Sequence, residues 1–216
     1  MAFQLLTGNT DTQSRNMYLY SPTNSDTFYV LDWDNDGMLM RKEYEIKQRS
    51  DGKSWENGIS NYWGNMLFSR CLQTKSFRTA LDKAIQDEYK YMNANRINSM
   101  VKHYRSITEQ YVWKMPDSMY EGVTKSQYDV IANQLHSEIE QNYQTYQTGF
   151  NKPMPFYIGT PTPTNGKLKL SWDVSYDFND EDLRYTVTVS KDYAGNDVVF
   201  SQSDVVLPEA VMDMPG

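Results

Sequence analysis

The chain has 216 residues, 39% of them hydrophobic and 23% charged, the profile of a soluble protein with enough length for one to two domains and a sizeable core. Its net charge of −7 excludes sequence-independent binding to nucleic acid or to an anionic membrane, which requires clustered Lys and Arg. The single Cys71 excludes an intrachain disulfide and a cysteine-based zinc site, and no apolar run is long enough to predict membrane insertion.

In chain order, the opening "MAFQLLTGNT" lacks the basic, apolar and small-residue regions of a signal peptide. "TGNTDTQSRNMYLY" follows, with four residues between Asp11 and Asn16. That is the spacing between the base and the metal-binding asparagine in the catalytic loop of protein kinases. From Met17 to Ile46 the pattern is extended: "MYLY" and "TFYVLDW" are aromatic and β-branched runs joined by "SPTNSD", which predicts a β-hairpin.

The second strand runs into "VLDWDNDGMLMRKEYE". Asp32, Asp34, Asp36, Gly37 and Glu43 satisfy the calcium-loop expression of the EF-hand, with glycine in sixth place and glutamate in twelfth. Two features depart from that motif: the preceding residues form a strand rather than a helix, and Met40 replaces the usual oxygen donor. Asp, Asn and Gly are also the commonest turn residues, so a solvated turn is the simplest alternative.

From Asn61 to about Phe150 the period becomes helical. Phe77, Leu81, Ala84, Ile85 and Met92 fall on one face. Ile97, Met100, Val101, Tyr104, Ile107 and Tyr111 fall on another. Tyr128, Ile131, Leu135, Ile139, Asn142 and Tyr146 continue the pattern, with Thr124 and Gln127 spaced as a capping box. Three amphipathic helices are expected, their stripes packed into the core. Cys71 is read as a small core residue, and His103 and His136, far apart among helical residues, as surface or interface histidines.

"NKPMPFYIGTPTPTNG" closes the helices, and a boundary is placed near Pro153. Beyond it, Leu168, Leu170, Trp172, Val174 and Tyr176 alternate with polar residues, as do Leu183, Tyr185, Val187 and Val189, which predicts antiparallel strands. Together these elements predict an α+β fold: a hairpin and helical bundle over residues 1–152, then an incomplete antiparallel β-sandwich over residues 153–216. The second region resembles the first half of a fibronectin type III domain, with its Trp on the second strand and Tyr on the third. Too few residues follow Ser190 to supply the remaining strands of such a sandwich.

Asp11, Asn16 before "MYLY", the hairpin and then Trp33-Asp34-Asn35-Asp36 resemble the pattern of the CotH kinases, atypical protein kinases of spore coats and bacterial surfaces. "NMLFSRCLQTKSFRTALDKAI" and "EIEQNYQTY" are similar to that family's "FR" helix and closing helix. The resemblance covers roughly residues 1–150 and implies a kinase-like C-terminal lobe. It also implies roles: Asp34 as the principal Mg or Mn ligand at the ATP phosphates, Asn16 as the second ligand, Asp11 as the base orienting the substrate hydroxyl, and Asp36 as a further metal-side group. A protein substrate carrying Ser or Thr, and an extracellular, cell-surface or spore-coat location, follow from the same likeness. Two departures stand out: the phosphate-covering loop and nucleotide-pairing Lys would lie upstream of Met1, and Asp32 stands where the family often has Pro before the Trp. The competing expectation is a noncatalytic surface or adhesion module stabilised by Ca held among Asp32, Asp34, Asp36 and Glu43.

Overall fold

A computed structural model describes residues 1–12, 15–39, 57–120 and 122–214. The order of elements is α1 (Ala2–Thr7), β1 (Met17–Tyr20), β2 (Tyr29–Asp32), a 3-10 turn (Asn35–Gly37), α2 (Ile59–Trp63), α3 (Met66–Gln73), α4 (Lys75–Tyr91), α5 (Ala94–Val112), α6 (Lys125–Gly149), and strands β3 (Thr162–Thr164), β4 (Lys167–Ser171), β5 (Tyr185–Ser190), β6 (Val198–Val205) and β7 (Glu209–Asp213). The molecule is α+β, with the helices in the first two-thirds of the chain, a hairpin between α1 and α2, and two small antiparallel sheets after α6.

Local chemistry accounts for the helix starts. The Asn65 side chain accepts the Leu67 N–H at the head of α3, and Asn93 accepts the Arg96 N–H at the head of α5. Thr124 and Gln127 form the predicted capping box of α6, each side chain bonding the other residue's backbone N–H. α1 has no such signal. Its six residues are too few to hold a helix in isolation, and it forms because Ala2, Gln4, Leu5, Leu6 and Thr7 are buried against α4 and α6. Gly8 ends it in the left-handed region at φ 67°, and a Cβ there would lie 2.7 Å from the Asn142 side chain. That asparagine, itself buried on α6, donates to the Leu6 carbonyl at 3.0 Å.

The main core joins Leu5, Leu6, Ile59, Tyr62, Leu72, Leu81, Ile85, Ile139 and Tyr146. The predicted faces of α4 and of the second half of α6 therefore pack inward. The face predicted for α5 does not: this helix has no buried residue, and Met100, Tyr104, Ile107 and Tyr111 are exposed. The physical reason is placement. α5 is fastened to α6 by Arg105, which pairs with Asp129 and with Glu109 of its own helix and lies over the Tyr128 ring; Ile97 near its start packs against the core, and among the described residues no second layer covers the rest of its apolar stripe. Cys71 is half-buried, beside the fully buried Leu72. His103 packs edge-on against Tyr104, and His136 is 3.8 Å from Glu140.

β1 and β2 pair antiparallel with Met17 opposite Asp32 and Tyr20 opposite Tyr29, the hairpin expected from the sequence. Its strands end at Asp32 rather than continuing to Ile46; residues 40–46 lie outside the described residues. After α6, β3, β4 and β7 form one sheet and β5 and β6 another. A second cluster of Leu170, Ala210 and Met212, with Trp172, Val187, Val189 and Phe200 against it, lies among these strands. The alternation predicted through Tyr176 stops at β4, and Val174 and Tyr176 are exposed. Two further strands, β6 and β7, follow Ser190. An aromatic cluster links this region to the helices: Trp63 of α2 contacts Tyr176 and Phe178, Phe150 contacts Phe178, and Arg78 lies over the Phe178 ring.

Candidate active site

Gly8 turns the chain out of α1 into Asn9, one of the most deeply buried side chains in the protein. Its Oδ1 accepts the Asp11 N–H at 3.1 Å, the turn that a short Asn side chain favours. α2 holds the rest of this loop: Asn61 donates to the Thr10 carbonyl at 3.1 Å, and the Tyr62 and Thr12 hydroxyls are 3.3 Å apart. Asp11 is thereby half-buried on a fastened loop. Asn16 returns to it, donating from Nδ2 to Asp11 Oδ2 at 3.1 Å. Asn16 sits at φ 48°, a left-handed conformation that Asn tolerates better than most residues. With its NH2 committed to Asp11, its Oδ1 is the atom left for a cation.

The second acidic loop starts where β2 ends. Asp34 is also left-handed, at φ 57°, and turns the chain from the strand into the Asn35–Gly37 turn. The Asp36 carboxylate facing Asp34 is the largest cause of a carboxyl pKa above the usual range; partial desolvation, a hydrogen bond between the two carboxyls and the charge of Asp11 add to it. The three carboxyls therefore share one electrostatic neighbourhood. None of the ion pairs among the described residues involves them. Asp32 differs: its oxygens accept from Gln4 Nε2 and from Asn35 Nδ2 at 3.0 Å, so it serves as a structural acceptor.

These donors fit a hard divalent cation. Carboxylate and amide oxygens are the ligands Mg and Mn prefer, and mutually repelling acids gain from a cation between them. Among the described residues, no three His, Cys, Asp or Glu side chains are arranged to hold a metal ion by themselves. Glu43, required for the calcium loop, lies outside the described residues.

Of the residues expected from the sequence, Asn16 meets Asp11 through a hydrogen bond, and Asp36, two positions along the same turn, faces Asp34 closely enough for their like charges to raise the Asp34 carboxyl. Sequence reasoning missed Gln4, Asn9 and Asn35, which tie the two loops together. The only sequence signal was the density of Asn and Gln around the two motifs.

The two acidic loops flank the hairpin, Asp11 before β1 and Asp34 after β2. Residues 1–146 match the family model described as CotH kinase protein, and the chain belongs to that family. No curated protein and no solved structure matches it. Among the described residues no helix is long and apolar enough to cross a membrane.

Proposed function

We propose that this chain supplies the catalytic and metal-side loops of an ATP-dependent protein kinase, acting on Ser or Thr of a cell-surface or spore-coat protein. The observation that carries this reading is the Asn16–Asp11 hydrogen bond, with Asp34 in the field of Asp11 and Asp36, inside the segment that matches the family.

Asp11 accepts the proton of the substrate hydroxyl as that oxygen bonds to the γ-phosphorus and the bond to the ADP oxygen breaks. Asn16 holds the Asp11 carboxylate in one orientation, so the accepting oxygen is preplaced. Asp34, Asp36 and Asn16 Oδ1 would hold Mg or Mn. The bound ion would supply neutralising charge at the nucleotide phosphates.

In the full-length protein, Asp34→Ala and Asn16→Ala are each expected to lower transfer of labelled γ-phosphate by at least ~100-fold, while Glu43→Gln keeps most of it. Activity indifferent to Asn16→Ala, together with tight Ca binding lost only in Glu43→Gln by calorimetry, would overturn this assignment in favour of a Ca-stabilised surface module.

A further inference from the structure

We infer that Asn9 is a positioning residue that sets the separation of the two acidic loops, and so the affinity of the site for its divalent cation; this rests on the metal-side reading of Asp34 above. Its side chain is 2% exposed and reaches both loops at once. Oδ1 accepts from the Asp11 backbone at 3.1 Å, and Nδ2 donates to Asn35 Oδ1 at 3.4 Å. Gln4 adds a second brace from α1, donating to Asn35 Oδ1 at 3.0 Å and to Asp32. Asn35 in turn donates to Asp32 Oδ2, so the amides form one connected network between α1 and the turn carrying Asp34 and Asp36. The backbone N–H of Leu39 reinforces it, donating to the Thr7 carbonyl at 2.7 Å.

Gly37 shows how close the approach is. A Cβ at that position would lie 3.1 Å from Asn9 Oδ1, tight enough that the turn or the amide must shift. The carboxylates repel one another, so without a brace the loops would relax apart. A buried amide bonded to both sides opposes that relaxation, because opening would leave its donor or acceptor unpaired.

Free Mn2+ measured by electron paramagnetic resonance reads this directly, with the metal alone as probe. Four proteins are compared, each at a temperature where circular dichroism shows it folded: wild type, Asn9→Ala, Gly37→Ala and Asp34→Ala. Gly37→Ala removes no hydrogen-bonding group and keeps the test available should Asn9→Ala fail to fold. The expected result is weak binding by wild type, loss of binding in Asp34→Ala, and roughly tenfold weaker binding in Asn9→Ala and Gly37→Ala. A purely structural Asn9 would lower the melting temperature yet leave the Mn2+ affinity of the folded protein unchanged. Wild-type affinity in both Asn9→Ala and Gly37→Ala, with Asp34→Ala impaired, would overturn the positioning role alone. Affinity unchanged in Asp34→Ala would overturn the metal reading and the inference with it.

Discussion

At the scale of single residues, the consequential feature is the contact between Asp34 and Asp36. Because the like charge of Asp36 raises the Asp34 carboxyl above its unfolded value, the fold is favoured by protonated Asp34. That contribution is complete below the unfolded carboxyl pKa and is lost as pH rises through the raised folded one. At neutral pH the cation-free loop is thus under electrostatic load, which a divalent ion relieves. Cation and proton compete for the same oxygens. Mn2+ affinity should fall on acidification, beginning above the ordinary Asp range, and Asp36→Asn should move that fall to lower pH. Resonance titrations across pH 4 to 7 would show it; superimposable pH profiles for the two proteins would count against the repulsion between Asp34 and Asp36.

At the scale of elements, α4 and α5 have equally clear apolar stripes and opposite fates. Ile85 on α4 is fully buried, whereas Ile107 on α5 is 45% exposed. Ile85→Ala should therefore cost about 3 kcal/mol of stability, and Ile107→Ala less than ~1 kcal/mol, as read by urea denaturation. Equal losses would mean that α5 is packed. The contrast also marks what the sequence could reveal. Thr124 and Gln127 announce the start of α6 because capping is settled within four residues, and the Met17–Tyr20 and Tyr29–Asp32 strands announce themselves by composition. A stripe of period 3.6 shows which face of a helix is apolar; whether another element covers it depends on topology, which is why the α5 prediction went astray. α1 was invisible for a related reason, being held by contacts with α4 and α6 rather than by its own six residues. In the candidate site, Asp11, Asn16, Asp34 and Asp36 are suggested by the ordered motif and its resemblance to the family. Asn9 and Gln4 are not, since their partners lie 26 to 31 residues away and nothing local distinguishes a bracing amide from a solvated one.

At the scale of the whole molecule, two buried phenols give the fold a pH limit of its own. Tyr62 is pushed up to about 12, chiefly by burial, and Tyr146 is raised as well, first by burial and then by its hydrogen bond to Asp82. Both shifts are upward, so the stability they confer is complete below the ordinary tyrosine pKa near 10 and is lost as pH rises through the folded values. The melting temperature should hold steady between roughly pH 7 and 9 and drop above about pH 10, and Tyr62→Phe should lessen the drop. Calorimetry in this range decides it; a melting temperature unchanged to about pH 12 would show that neither phenol is buried as described. The aromatic cluster around Trp63 has a different consequence. α2 is a single short helix, yet consecutive residues on it grip different parts of the protein: Asn61 and Tyr62 hold the loop of Asp11, while Trp63 grips Tyr176 and Phe178 beyond the last helix. A displacement of the segment carrying Tyr176 and Phe178 would thus reach, through Trp63, the same turn of helix that keeps the Asp11 loop in place.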